Sequence, residues 1–369
     1  MIVIVSCNHS SDDERVYHRQ VRSLEKKGYR TIYITRSKLD INLSTDLINH
    51  LNYNRSTDLK QYIELVIRII KKQDRITHIQ IHETEILSIL KIVKSIFRDI
   101  VTIYDVHENM EALYRTFSVR PWPLNELAIK IRKLNEKKHL KYVDRIILAN
   151  MPLGENPYKR QNIPIEIIQN FPEKKYCNYD LKIRGQQPAI IYHGHLAPER
   201  GINDLISAMP EVVGSFHQAT LTLLGTFRTS QYHDDVKKLI DQFSLENVVK
   251  IHSQVPHKDV WGILKNHTIG VIPFSRNPLT EENTPTKLFE MMASGLDIVS
   301  TDLPPVRHFI DDSIYWASPG DSQSLASSII KAIQSFGESS LIKRNLDLIE
   351  KQYNWEIIEN RYLNLFKIV

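Results

Sequence analysis

Between Thr280 and Gly295 the chain reads TEENTPTKLFEMMASG, which places two carboxylates, Glu282 and Glu290, on either side of a Thr-Pro-Thr triplet. The triplet precedes apolar residues at Leu288, Phe289 and Met292, a spacing that predicts a helix with those three on its buried stripe. Thr284 or Thr286 would serve as N-cap and Pro285 would sit in the first turn. The amides near Thr286, Lys287 and Leu288 then lack intrahelical acceptors at the positive end of the helix dipole, which suits an anion. Taken singly, Glu282 reads as a loop acid and Glu290 as a solvated helix residue. Beside an anion site, the pair points to a ligand that is part anion and part polyol.

A second loop supports the first. In AIIYHGHLAPERGINDLISAM a strand ends near Tyr192, a loop containing Gly194 follows, and Arg200-Gly201 opens a helix. A guanidinium there could share a phosphate with backbone amides. The two cysteines, Cys7 and Cys177, stand far apart and in no ligand spacing, so neither a disulfide framework nor a zinc site is expected.

Such loops need a scaffold, and the pattern supplies one. Short runs rich in Ile, Val and Tyr (MIVIVS, RTIYIT, ITHIQI, DIVTIYDV, VDRIILA, IEIIQN) alternate with helical segments, among them RQVRSLEKKGY. Apolar runs without period-two alternation predict a parallel sheet covered on both faces, a doubly wound α/β domain. The alternation resumes at AIIYHG and continues through ATLTLLG, VVKIHS, HTIGVIPF and LDIVST. The expected organisation is therefore a first domain over 1–172, a linker over 173–188, a second domain over 189–352, and a closing helix over 353–369 able to dock on either domain. Ligands of such sheets bind beyond the C-terminal ends of the strands, so function is expected in a cleft between the domains.

Composition is that of a soluble globular protein: 369 residues, 42% hydrophobic and 25% charged. Charge is uneven, with 28 Lys and Arg against 20 Asp and Glu in residues 1–172 and 20 against 23 thereafter. The basic half is the candidate for an anionic partner, though no nucleic-acid-binding motif or aromatic platform accompanies it. The opening MIVIVSCNHSSDDERV turns polar too soon for a signal peptide, and no segment is apolar for long enough to span a bilayer, so a cytoplasmic location is expected.

The spacing of Glu282 and Glu290 before MMASGLDIVSTD, preceded by YHGHLAPERG, resembles the retaining glycosyltransferases of family 4, whose GT-B fold pairs two facing Rossmann-like domains across a cleft. TPTKLFEMMASG follows their P-T-K-L-F-E variant, and SSDDERVYHRQVRSLEKKGY, YDVHENMEALY, IIQNFPE and the YNWE helix extend the resemblance along the chain. It implies a nucleotide-sugar donor, UDP-linked in the first instance. Glu290 would hold the ribose, Glu282 hydroxyls of the donor sugar, and the amides from Asn283 to Leu288 the diphosphate and sugar. Arg200 would contact the diphosphate, and His107, after a strand in YDVHE, would sit beside the donor sugar. His82, in IQIHETEIL, is a lesser candidate for cleft lining.

Two departures stand out. His195 occupies the place where the family usually has Arg, and NHSSDDERV replaces an N-terminal Gly-Gly loop, a form seen in relatives that build polysaccharides; acceptor handling would fall to Asp13, Arg15 and His18. No Asp-x-Asp pair follows a strand in a nucleotide-binding position, so no metal is expected, and stabilisation of the departing diphosphate falls to Arg200, Lys287 and the helix dipole. The resemblance favours front-side departure and attack without a covalent nucleophile.

Residues 117–141 set Leu124, Leu127, Ile131 and Leu134 on one stripe flanked by Lys130, Lys133, Lys137 and Lys141, with Phe117 and Trp122 nearby. Such a helix fits either an anionic membrane surface or a core with a solvated basic edge. The expected activity is transfer of a sugar to a saccharide or lipid-linked glycan of the cell surface. The rivals are a nucleotide-sugar epimerase of the same architecture and a catalytically degenerate partner subunit.

Overall fold

The computed structural model describes residues 1–107, 109–118, 120–180, 187–335 and 339–367. The chain forms two compact units, one of residues 1–170 joined by the segment from Glu356 onward, the other Phe171–Trp355.

The first unit is built on a seven-stranded parallel sheet. Its strands are β1 (Ile2–Ser6), β2 (Thr31–Ser37), β3 (Ile48–Asn54), β4 (His78–Ile81), β5 (Val101–Val106), β6 (Arg145–Leu148) and β7 (Ile165–Ile167), in the order β3-β2-β1-β4-β5-β6-β7. Every side chain of β1 and β4 is buried, which is why these segments read as continuous apolar runs. The strand order reverses between β1 and β4, and the loops leaving β1, β4 and β5 carry residues 7–13, 82–87 and, among the described residues, 107 and 109 at one edge.

The expected helix after β1 takes an unusual form. Asp13 caps it through Arg15 N (2.9 Å) and Val16 N (2.9 Å), and the turns from Glu14 to Val21 are wide, the amide of Arg22 reaching back to Tyr17 O. Regular α-helix follows only over Arg22–Lys26.

The second unit repeats the plan with β8 (Ala189–His193), β9 (Thr220–Leu224), β10 (Val249–His252), β11 (Ile269–Ile272), β12 (Asp297–Thr301) and β13 (Tyr315–Ala317), ordered β10-β9-β8-β11-β12-β13 and parallel throughout. Its reversal lies between β8 and β11, whose following loops carry the motifs singled out above.

The start of the expected linker is packed on this unit: Tyr176 stacks on Trp261 at 4.2 Å and Asn178 N donates to Ala293 O at 2.7 Å. Residues 181–186 of that segment lie outside the described residues. The closing helix Trp355–Asn364 packs on the first unit, with Tyr362 and Phe366 buried and Tyr362 Oη donating to Gln80 Oε1 at 2.9 Å. Among the described residues no helix is long and apolar enough to cross a membrane.

Candidate active site

In the second unit, the chain leaves β8 through Gly194, whose φ of +110° favours glycine. A Cβ there would lie 2.6 Å from Lys287 Cε, so the missing side chain is what lets the lysine lie against this loop. After Arg200 the chain turns again at Gly201 (φ +68°), where a Cβ would stand 1.6 Å from Pro273 O, tying the β8 loop to the end of β11.

From β11 the chain runs through Phe274 into a loop that Asn277 and Thr280 fold on itself. Asn277 Oδ1 accepts from the amides of Leu279 (3.0 Å) and Thr280 (3.1 Å), and Thr280 Oγ1 donates to Ser275 O (2.6 Å). Asn283 N closes the loop on Leu279 O at 3.1 Å.

The helix spans Thr286–Ala293 with Leu288, Phe289 and Met292 buried. Its N-cap, however, is Pro285 (φ −79°, ψ 94°), with no capping side-chain hydrogen bond, so neither Thr284 nor Thr286 fills the expected role. Proline holds a near-helical φ without needing a cap, and the first amides remain available to a ligand.

On this helix Glu290 accepts from His193 Nε2 (2.7 Å) and His257 Nε2 (2.9 Å). Burial opposes its charge, but these two hydrogen bonds hold the carboxyl well below the usual carboxylate range. Burial and then Arg200 push the Lys287 ammonium down to about 7, against the pull of Glu290. Lys287 Nζ and the Arg200 guanidinium both lie over the Phe274 ring, at 5.5 and 4.7 Å. The lysine assigned a cation's role is thus poised near neutrality. Partial desolvation, Lys287 and Arg200 likewise lower His195, which keeps it uncharged. Glu282 is exposed in the loop before the helix, and Thr284 and Thr286 are half-buried around Pro285.

The first unit gathers a second group. His107 Nε2 lies 2.7 Å from His82 Nδ1, and its ring meets that of His9 with centroids 4.2 Å apart. Asp105 lies beneath, fully buried, accepting from Arg15 Nη2 (2.9 and 3.2 Å), Gln20 Nε2 (2.6 Å) and Gln80 Nε2 (3.3 Å). His82, Asp105 and His107 bring ligand atoms within 4.8 Å of one another, as a metal site would. Both oxygens of Asp105 are already engaged by Arg15, whose positive charge opposes a cation there.

Arg15 is accordingly 5% exposed, and its other amino group donates to Ile168 O. It is not an open acceptor contact but the cation that balances Asp105. Asp13 is occupied as a helix cap and pairs with His9 Nδ1 at 3.4 Å; of the expected acceptor trio only His18 is exposed. Burial disfavours charge on His9, but the hydrogen bond to Asp13 together with the negative charges of Asp13, Glu83 and Asp105 outweighs it and raises His9 to about 9. Glu83 fixes the same loop, accepting from Ser6 Oγ and the amides of Cys7 and Asn8 at 2.7 to 2.9 Å.

His9, His193 and His257 were not among the residues the sequence reading singled out. His193 and His9 do follow the recognisable rule of polar residues at or just beyond a strand end, in YHGH and SCNH; His257 carries no comparable local signal.

Two parallel doubly wound units of seven and six strands constitute the GT-B class of fold, and solved structures agree. Sucrose-phosphate synthase from Thermosynechococcus elongatus superposes with a TM-score of 0.76 at 16% identity, covering 99% of this chain and 98% of that one. HepE from Anabaena, solved with UDP, gives 0.74 at 15% identity over 99% of each. Residues 178–355 match the family Glycosyl transferases group 1. A curated relative, an uncharacterized glycosyltransferase of Methanocaldococcus jannaschii, is 24% identical over 219 residues, 58% of this chain and 52% of that protein, so the match spans about half of the relative's length. The family match falls within the second unit, and the likeness of fold extends over nearly the whole chain.

Proposed function

We propose that the protein is a retaining, metal-independent glycosyltransferase that moves a sugar from a UDP-linked donor to a saccharide or lipid-linked glycan of the cell surface, acting on the cytoplasmic side of the membrane. The observation that carries the reading is the ionised, two-histidine-held Glu290 on the same short helix as Lys287, beside Arg200 and the open Gly194 loop. That arrangement offers an acceptor to a diol and cations to a diphosphate. A solved HepE complex with UDP-glucose in the same fold supports the choice of donor.

In this reading the second unit holds the donor. Glu290 grips the ribose, Glu282 the sugar hydroxyls, and the amides from Asn283 to Leu288, with Thr284 and Thr286, line the diphosphate and sugar. Arg200 and Lys287 take the charge that develops as the glycosidic bond breaks. Front-side attack within that ion pair retains configuration. The first unit presents the acceptor, with His107 facing a saccharide oxygen and His18 at its surface.

The test is calorimetric titration of UDP with and without EDTA, followed by product analysis with candidate UDP-sugars. Binding unaffected by EDTA and an α-configured product from an α-donor support the proposal. Metal-dependent binding or an inverted product overturns it, and an epimer formed without acceptor selects the epimerase.

The helix Trp122–Leu140 supports a membrane-facing acceptor. Trp122, Leu124, Leu127, Ile131 and Leu134 are 53 to 76% exposed beside the lysines of the same helix, an apolar ridge on a basic face. Co-sedimentation with anionic but not neutral vesicles is the expected outcome, and equal recovery with both would reject it.

A further inference from the structure

Asp105 is wholly buried and, as a carboxylate, only accepts hydrogen bonds. Gln20 must therefore turn its amide nitrogen toward it (2.6 Å), which leaves Gln20 Oε1 facing Gln80. Gln80 must in turn present its nitrogen, 2.8 Å from Gln20 Oε1, while its own oxygen accepts from Tyr362 Oη at 2.9 Å. The second hydrogen of that nitrogen points to His82 Nε2 at 3.1 Å, sharing with Asp105 Oδ2 at 3.3 Å. An imidazole nitrogen that accepts is unprotonated, so the proton of neutral His82 resides on Nδ1. That N–H meets His107 Nε2 at 2.7 Å, which must accept it, and the proton of His107 is driven to Nδ1.

Every link is set by an acceptor-only group at one end and the closing helix at the other. Protonation of either ring would break the chain, and several features oppose it. Burial lowers His82 to about 4 and holds His107 well below its ordinary value, while the His9 ring, raised to about 9 by Asp13 and the nearby carboxylates, places a positive charge 4.2 Å from His107. Arg15 adds its charge from the far side of Asp105, which itself pulls on His82 in the other direction.

We propose that Gln80 and His82 are positioning residues that lock His107 in its neutral Nδ1–H tautomer, making it a fixed hydrogen-bond donor to a saccharide oxygen and barring it from acting as a general base through Nε2. The inference rests on the reading of His107 as the sugar-facing group and deepens it: the histidine polarises an oxygen rather than removing a proton. Its rate should therefore show no titration of His107 across the neutral range.

The test is long-range 1H–15N correlation on histidine-labelled, ligand-free protein, which reports the tautomer without any substrate. Protonated Nδ1 and bare Nε2 on His107 between pH 6 and 8 is the expected result; a proton on Nε2, or an imidazolium, overturns the proposal. His82→Leu removes the donor, and His82→Asn restores an N–H at the position of Nδ1. His82→Leu should lower kcat about 10²-fold with little change in donor KM and show mixed His107 tautomers, and His82→Asn should rescue most of the loss. Equal kcat in wild type and His82→Leu would overturn the positioning role. A failure of UDP to bind would count against the donor reading instead, and leaves the tautomer measurement untouched.

Discussion

Lys287 owes its lowered ionisation first to burial and then to the neighbouring Arg200. With its ordinary value brought down to about 7 by burial and Arg200, the ammonium is mostly neutral at pH 8 in the free protein. A bound diphosphate adds negative charge beside it, restores the charged form, and so draws in a proton. Titration of UDP at pH 8 in buffers of differing ionisation enthalpy should show uptake of close to one proton, lost in Lys287→Met; a buffer-independent enthalpy would reject this. Glu290→Gln should weaken UDP about thirtyfold, about 2 kcal/mol, because the charged acceptor proposed for the ribose is gone and one of the two histidines loses its acceptor. His9 carries a stability term of definite sign. Its folded value of about 9 lies above the ordinary 6.5, so the contribution is full below pH 6.5 and disappears as pH rises through 9. Denaturant titration should find His9→Gln about 3 kcal/mol less stable than wild type at pH 6 and indistinguishable at pH 10. The helix that carries Glu290 and Lys287 and the turn at Gly201 after Arg200 were legible in the sequence, because each follows a local pattern of turn and helix start. The partners that tune them were not: His193 lies 97 residues from Glu290, and Asp105 lies 90 from Arg15, so only the strand order brings them together.

The helix from Thr286 shows why element types are easier to read than their ends. The spacing of Leu288, Phe289 and Met292 fixed the helix, while the cap fell on Pro285, one residue from each threonine that propensity favoured. The wide turns over Glu14–Val21 were illegible, since a shift from four- to five-residue hydrogen bonding leaves no mark in hydrophobic spacing. Gly201 is the junction between the two loops of the second unit, and alanine there must move Pro273 or abandon φ +68°. Gly201→Ala should cost at least about 2 kcal/mol and weaken UDP binding, a result checked by denaturant titration and calorimetry. The helix Trp122–Leu140 gives the opposite expectation. Leu127 and Ile131 are more than half exposed, so Leu127→Glu with Ile131→Glu should leave the melting temperature within a degree or two while abolishing recovery with anionic vesicles. A large loss of stability would show instead that the ridge is covered within the protein.

At the scale of the chain, the repeated alternation of apolar run and helix disclosed two doubly wound units, since each parallel strand must be buried on both faces. The path of the last residues was not disclosed, because an amphipathic helix states that it packs and not where. The structure places it on the first unit, where Ile358, Tyr362, Leu365 and Phe366 are at most 5% exposed and Tyr362 anchors Gln80. The first unit is therefore discontinuous in sequence, and its integrity depends on the segment from Glu356 onward. Removing everything after Trp355 would expose apolar surface worth about 5 kcal/mol or more, comparable to the whole stability of a domain. Calorimetry of that truncation should show one transition lost or shifted far down and a second, belonging to Phe171–Trp355, retained. Hydrogen exchange should locate the loss in β1, β4 and β5 and leave β8 to β12 protected. Because UDP is proposed to bind the second unit alone, it should still raise the surviving transition. Uniform collapse of both transitions would mean that the two units fold as one cooperative body, and the division of labour between donor and acceptor halves would lose its physical basis.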